Sequence, residues 1–253
     1  MIEADRAACA LAAAWQHLVA EIPGGWTLRE GGAVAAVTTV PLPTLNGVWV
    51  DELGADRGSV AALLDRVAAT GLPHCLQMRP GCEQSLSDLA VRRGMTRTKD
   101  VPLMVLEDAS GLGDAVPDGL EIERLAPEDA DRHARLAAAG FEAPDEYFQQ
   151  LMTTGVLRAV GVSCYLGELD GEPVTTGFGV TIGDSIGIFN IATPPAQRRR
   201  GYGSAITVRT IRDGFNSRAR WAWLQASPAG YPVYERLGFR TVEGWHCWLA
   251  TGV

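Results

Sequence analysis

The chain has no hydrophobic run long enough to cross a membrane. Its longest early apolar run is AACALAAAW, whereas a membrane-spanning helix needs about 20 apolar residues. Glu3, Asp5 and Arg6 precede this run, so it also lacks the basic leader and cleavage site of a secretory signal. The sequence therefore predicts a cytoplasmic protein with no membrane partner.

Cysteine pairs at metal-binding or disulfide spacing are missing as well. The five cysteines are odd in number and scattered along the chain, with no C-x-x-C pair near histidines. This pattern predicts neither a disulfide framework nor a metal site. The cysteines are Cys9, Cys75, Cys82, Cys164 and Cys247.

Positive charge is scarce. The 22 basic residues include one lysine, Lys99, and are outnumbered by 30 acidic ones, for a net charge of −8. An acidic balance argues against nucleic acid and anionic membranes as partners, because both carry negative charge. It mildly favours a cationic substrate such as an amine.

One stretch, residues 184–216, carries a local cluster of positive charge in this acidic chain. It contains an apolar segment, SIGIFNIAT, then the turn PPAQRRRGYGSA, then a run with apolar residues at helical spacing. Gly201 and Gly203 permit close backbone approach, so that successive N–H groups can surround an anion at the helix start. Three arginines beside them can each bind phosphate oxygens. The stretch therefore predicts a strand, a phosphate-binding loop and a buried helix.

Two common phosphate-binding motifs are excluded by spacing. A dinucleotide-binding G-x-G-x-x-G would need a third glycine, where Ile206 stands, and no acidic residue follows at the ribose position. A P-loop would need lysine followed by serine or threonine after the glycines, where Ser204 stands. A nucleotide-binding protein of another fold is therefore disfavoured.

The loop resembles the R/Q-x-x-G-x-G/A signature of the GCN5-related N-acetyltransferase (GNAT) superfamily, through Arg198, Gly201 and Gly203. Pro195 stands three residues before Arg198, as in that family. YERLGF, from Tyr234 to Phe239, matches the family's Y-E-x-x-G-F motif. The resemblance covers residues 120–253.

The chain is long enough for two domains. Residues 109–119 are small, polar and turn-rich, which is typical of a linker. We therefore expect one domain over residues 1–108 and another over 120–253, each an α+β fold with a mixed, mostly antiparallel sheet flanked by helices. Asp170-Gly171 and Gly183-Asp184 are tight-turn pairs that predict an antiparallel meander, and the sequence also predicts a terminal hairpin, RTVEG/WHCWLA.

An internal repeat relates the two halves. LAVRRGM aligns with VYERLGF, HCLQM aligns with WAWLQ, and Gly47 pairs with Gly187. In place of the arginine run the first half reads DELGADRGSVAAL, and Ala90 stands where Tyr234 lies. Carboxylates there would repel a pyrophosphate. We interpret the chain as a tandem of GNAT-like domains whose first half has no cofactor site; a coincidental alignment of short motifs is the alternative.

The resemblance implies acetyl-CoA as co-substrate, with its pantetheine arm paired to strand backbone and its pyrophosphate on the loop. It also implies that Tyr234 donates a proton to the leaving thiolate, while Asn190 orients the amine or a water. Half-buried packing is the alternative role for Tyr234. Ser227 stands where many members carry asparagine. The cofactor-binding residues implied are Ile191, Ala192, Thr193, Arg198, Arg199, Arg200, Gly201, Tyr202, Gly203, Ser204 and Ser227.

The general base is left open by the sequence. Glu142, Asp145 and Glu146 lie where the family often builds its acceptor site, although acidic residues in a first helical turn are commonly just solvated. His246 is expected to line the cleft or to pack between tryptophans, and His133 is expected to be exposed.

These observations predict an N-acetyltransferase that moves acetyl from acetyl-CoA to a primary amine of a small molecule or peptide. The alternative is a binding module that keeps an acyl-CoA pocket as a sensor or scaffold without turnover. The tyrosine and the intact glycine loop favour catalysis, since a scaffold needs no proton donor.

Overall fold

The computed structural model describes residues 2–113 and 116–250, apart from the side chains of residues 83–85. The helices are α1 (Ala4–Val19), α2 (Arg57–Ala68), α3 (Glu83–Arg92), α4 (Ala130–Phe141), α5 (Asp145–Leu151), α6 (Thr154–Arg158), α7 (Tyr202–Ser217) and α8 (Tyr231–Arg236). The strands are β1 (Trp26–Glu30), β2 (Ala33–Val37), β3 (Asn46–Val50), β4 (His74–Met78), β5 (Thr96–Arg97), β6 (Val101–Leu106), β7 (Leu120–Arg124), β8 (Val162–Leu169), β9 (Glu172–Ile182), β10 (Ser185–Ala192), β11 (Trp221–Gln225) and β12 (Arg240–Ala250).

The chain forms two compact units. Among the described residues, the N-terminal unit contains 2–104, 225–227 and 241–250, and the C-terminal unit contains 105–224 and 228–240. The segment from Thr241 belongs with the opposite unit from the one that the sequence predicts, because β12 pairs with β4.

The N-terminal unit is built on a mixed sheet. β1, β2 and β3 are antiparallel neighbours, β3 runs parallel to β4, and β12 lies antiparallel to β4, with His246 opposite Met78 and Ala250 opposite His74. The helical spacing of the apolar residues in α2 buries one face of that helix against β2 and β3. Its core includes Val48, Val60, Leu63, Leu76 and Trp248.

The C-terminal unit carries the predicted meander. β7, β8, β9 and β10 are consecutive antiparallel neighbours, and β10 is parallel to β11. Asp170 and Gly171 have φ of 52° and 80°, the left-handed pair that a two-residue hairpin turn requires. A β-carbon on Gly177 would come within 2.9 Å of Ile206, so the absence of a side chain lets α7 pack closely on β9. The predicted α+β class is confirmed.

Helix α6 lies just before β8, and Thr153 caps it by accepting from the Val156 N–H at 3.3 Å. Two local predictions differ from the structure. The terminal hairpin is wrong: residues 240–250 form one continuous strand, and Gly244 makes no turn. His133 is fully buried rather than exposed, because it shares the inward face of α4 with Ala130, Ala134 and Ala137.

None of the helices in the described part of the chain combines the length and the apolar character needed to cross a membrane.

Candidate active site

The candidate site begins where β10 and β11 separate. The two strands pair in parallel at only three positions, from Ser185 opposite Trp221 to Gly187 opposite Trp223. β10 then continues to Ala192 with no recorded partner in β11. The separation frees backbone N–H and C=O groups along one edge of β10, and such groups bind a ligand or water when they are not paired.

A bulge lies in the separated part of β10. Its pairing with β9 shifts register between Phe189 and Ala192, and Asn190 has a φ of 48°. Asn190 is half-buried, and its Nδ2 atom is buried without a hydrogen-bond partner among the described residues. An unpaired buried donor is costly and often marks a functional position. This is the residue that the sequence predicts to orient the amine or water.

The start of α7 is the second component of the site. Gly201 has a φ of 85°, which a residue with a side chain adopts only with strain, and no side chain in the described part of the chain caps the helix. The Ala205 N–H bonds to Gly201 O at 3.0 Å, so the N–H groups of residues 202–204 precede the first intrahelical bond. With the helix dipole they form an anion-binding end.

The helix start and the strand end lie side by side. A β-carbon built on Gly203 would lie 3.6 Å from both Ile191 Cγ2 and Thr193 Oγ1, in ordinary contact and without a clash. Gly203 is therefore not required for the packing of the folded chain. Its lack of a side chain leaves the helix N–H groups open beside the separated strand.

Arg198 has a role that the sequence did not predict. Its guanidinium donates to Gly140 O at 2.7 Å and to Glu142 Oε1 at 3.0 Å, while its Nε donates to Thr193 O at 3.1 Å. These bonds join the end of β10 to the end of α4. The Arg198 side chain is thus engaged with the protein itself instead of being free for an anion.

Arg199 and Arg200 differ from Arg198. Both are exposed and form no ion pair or hydrogen bond with a residue that the structure describes. Arg199 has a φ of 64°, a strained value for arginine. The cationic part of the predicted site is therefore reduced from three guanidinium groups to two.

Other predicted cofactor residues contribute backbone. The Tyr202 side chain is buried in a cluster with Leu120, Val174 and Ala205, which leaves its N–H as the group available at the helix start. Ala192 is buried and its carbonyl accepts from Thr175 Oγ1 at 3.1 Å. Ser227 is exposed and belongs by its contacts to the N-terminal unit.

Tyr234 lies on α8 with its ring 5.9 Å from that of Phe239. It is half-buried, and its hydroxyl has no hydrogen-bond partner among the described residues. Burial raises the pKa of Tyr234 to about 12. The phenol therefore remains protonated at neutral pH, as a proton donor must.

The four candidates for the general base lie on three different elements: the end of α4, the first turn of α5 and β12. Glu142 ends α4 in a left-handed conformation and binds Arg198, while Asp145 and Glu146 are exposed in the first turn of α5. His246 lies in the N-terminal unit and pairs with Asp100 at 3.0 Å. None of these positions adds an unpartnered buried group to the site.

In the N-terminal unit, the strands and helix start that correspond to this site leave no opening for a ligand. β3 and β4 stay paired to their last residues, Val50 and Met78, so the two strands do not separate. At the start of α2 the Asp56 carboxylate accepts the Ser59 N–H at 2.7 Å, and this bond lowers the pKa of Asp56. A side-chain carboxylate thus occupies the helix end that an anion would need. Ala90, at the tyrosine position, is fully buried.

Comparison with known proteins gives matches in structure only. No protein-family model matches the chain, and no curated protein matches it. Solved structures do. A GCN5-related N-acetyltransferase from Kribbella flavida is 21% identical with a TM-score of 0.72, covering 98% of this chain and 96% of that one.

Two further structures agree. A GCN5-related N-acetyltransferase from Sphaerobacter thermophilus is 14% identical with a TM-score of 0.60, covering 87% of this chain and 80% of its own. A tandem GNAT protein from the clavulanic acid biosynthesis pathway is 16% identical with a TM-score of 0.58, covering 89% and 82%. Identities this low establish shape rather than activity. The resemblance predicted from the glycine loop is confirmed at that level: this chain has the fold of the GCN5-related N-acetyltransferases, in a tandem arrangement.

Proposed function

We propose that the C-terminal unit binds acetyl-CoA and transfers its acetyl group to a primary amine. The observation that carries this proposal is the uncapped, glycine-lined start of α7 beside the separated end of β10. In the N-terminal unit the matching helix is capped by a carboxylate and the matching strands stay closed. The contrast within one chain supports a ligand site in one unit only.

The available groups suit the parts of the cofactor. The N–H groups at the start of α7, with Arg199 and Arg200, suit a pyrophosphate. The part of β10 that does not pair with β11, from Ile188 to Ile191, suits the amides of a pantetheine arm, which pair with backbone as a strand would. Acetyl-CoA supplies the activated thioester.

The chain's own residues then have two tasks. The amine must be neutral to attack the thioester carbonyl, yet only about one alkyl amine in a thousand is uncharged near neutral pH. Asn190 orients the amine or a water that takes its proton. As the C–S bond breaks, Tyr234 gives its hydroxyl proton to the departing thiolate, and a proton from solvent restores the phenol.

The test joins binding with turnover. Calorimetry on the full chain with acetyl-CoA measures affinity, and detection of free thiol over a panel of amines and peptide N-termini measures transfer, with the acetylated product identified by its mass. A folded chain that does not bind acetyl-CoA would overturn the proposal. Tight binding without thiol release for every amine would instead identify an acyl-CoA-binding module.

A further inference from the structure

Four buried side-chain polar atoms in the described part of the C-terminal unit lack hydrogen-bond partners: Nε2 of His133, Nδ2 of Asn190, Oε1 of Gln197 and Nε1 of Trp223. An unsatisfied buried polar atom costs about 1–3 kcal/mol, so each calls for an explanation. Two of them, on α4 and on the bulge of β10, lie on elements that pack against each other.

The hydrogen bonds of Thr176 fix which nitrogen of His133 carries the proton. Thr176 Oγ1 donates its only proton to Tyr165 O at 2.8 Å. At its 2.6 Å contact with His133 Nδ1 it must therefore accept, so Nδ1 carries the hydrogen. Burial lowers the pKa of His133 to about 3, so the ring is neutral. Nε2 is consequently a hydrogen-bond acceptor, whereas Asn190 Nδ2 is a donor.

The register of β9 and β10 places His133 over the bulge. Its ring contacts Thr176 and lies edge-on to Phe178, 5.8 Å away. Thr176 pairs with Ala192, and Phe178 pairs with Phe189. His133 therefore contacts the two β9 residues whose partners on β10, Ala192 and Phe189, lie on either side of the bulge residues 190 and 191.

The second bulge residue is directed to the opposite face of the sheet. Ile191 Cδ1 approaches the α7 side of Gly177, and its Cγ2 approaches Gly203 on α7 itself. Asn190 is the other residue of the bulge, and α4 packs close by on the same strand, since a β-carbon on Gly140 would come within 2.8 Å of Ala192.

We propose that one ordered water joins Asn190 Nδ2 to His133 Nε2, accepting from the amide and donating to the imidazole. Buried waters commonly satisfy such pairs of otherwise unpartnered groups. The bridge fixes the amide of Asn190 with its nitrogen inward, which leaves the carbonyl oxygen to accept an N–H of the acceptor amine. This role rests on the proposed acetyl transfer. His133 is a positioning residue, since it acts through Asn190.

Two substitutions of His133 separate this role from packing. In His133→Asn the amide nitrogen can keep the bond to Thr176, but no acceptor remains at the Nε2 position. In His133→Gln the longer side chain returns an acceptor there. We expect kcat/KM for the amine to fall about tenfold in the asparagine variant and to recover most of that loss in the glutamine variant, with acetyl-CoA affinity unchanged in both.

Coupling gives a further check. Asn190→Ala should also lower kcat/KM about tenfold, and the double variant with His133→Asn should be no slower than Asn190→Ala alone. Multiplied losses in the double variant, or equal losses in the two His133 variants, would overturn the proposal.

A measurement without turnover distinguishes this proposal from the transfer activity itself. Nitrogen-15 spectra of the four histidines, with His133 assigned from its loss in His133→Gln, should show a neutral Nδ1–H tautomer. The Nε2 resonance should shift in Asn190→Ala, which removes the donor. An unchanged resonance would exclude the bridge even in an active enzyme. A shifted resonance in a chain that acetylates no tested amine would support the bridge and count against the proposed function.

Discussion

Tyr234 is half-buried, and its ring packs against Phe239. Its hydroxyl makes no hydrogen bond to a residue that the structure describes. The raised pKa, about 12, keeps the proton on the oxygen. The residue therefore has a proton to give, and no acceptor in the described part of the chain competes for it.

Replacing Tyr234 with phenylalanine tests this role. We expect kcat to fall by about 100-fold, the usual contribution of a positioned proton donor, while acetyl-CoA affinity and thermal stability stay close to those of the parent chain, because the ring and its packing are retained. Phe239→Leu serves as a matched control that changes the packing and keeps the hydroxyl. An unchanged kcat when chemistry limits the rate would assign Tyr234 to packing.

His133 predicts how stability depends on pH. Its pKa is about 3 in the folded chain and about 6.5 when unfolded, so the unfolded state binds the extra proton between those values. The free energy of unfolding should therefore fall as pH falls below 6.5, by about 2 kcal/mol at pH 5 from this residue. Urea unfolding at pH 7 and pH 5 measures the loss. His133→Gln should show a loss smaller by that amount; identical losses in the two proteins would contradict the prediction.

At the scale of elements, the two glycines at the start of α7 serve different purposes. Gly201 is required by the backbone, since its φ is 85°. Gly203 has no such requirement and faces open space beyond Ile191 and Thr193. Gly203 is therefore the position at which ligand binding and folding can be separated.

Two substitutions of Gly203 test whether phosphate binds at the start of α7. Gly203→Ala should raise the free energy of unfolding by about 0.5–1 kcal/mol, because alanine favours helix, yet weaken acetyl-CoA binding by crowding the phosphates. Gly203→Asp should weaken binding by about 100-fold or more, since it adds a charge at the helix start. Chemical denaturation and calorimetry on the same samples check both. Unchanged affinity in either folded variant would show that phosphate does not bind here.

The sequence predicts the elements whose causes are local. Residue types alone indicate the Asp170-Gly171 turn, the helix that begins after Gly201 without a capping side chain, and the carboxylate at the start of α2. Features with long-range causes are not predicted from residue types. The bond from Arg198 to Gly140 joins residues far apart in the sequence, and Gly244 is typical of a turn but lies in an extended strand because β12 is paired. His133 could have been placed inside, since its spacing from Ala130, Ala134 and Ala137 is that of a buried helical face.

At the scale of the molecule, the contrast between the units predicts one acetyl-CoA per chain. Calorimetric titration of the full chain should give a stoichiometry of about one, and Gly203→Asp should remove the whole signal. A residual site of equal affinity in that variant would place binding in the N-terminal unit, against the capped start of α2.

The structure also predicts the effect of removing β12. Ending the chain at Arg240 removes Trp248 from the N-terminal core and Glu243, which binds Arg79 at 2.7 Å. We expect amides of β3 and β4 to lose hydrogen-exchange protection, because β4 then has an unpaired edge. A peptide of residues 240–250 added in trans should restore part of it. Full protection in the shortened chain would show that the N-terminal unit is complete without this strand.

The position of β12 at the end of the chain delays completion of the N-terminal sheet during synthesis. β4 ends at Met78 and its partner begins at Arg240, so about 160 residues separate them. At a synthesis rate of about 5–20 residues per second, the ribosome delivers β12 roughly 10 to 30 seconds after β4. Throughout that interval the nascent N-terminal half carries an open strand edge, the kind of template on which neighbouring chains on one messenger RNA associate. Slowing translation after codon 78 should therefore lower the yield of active protein more than slowing it before that point.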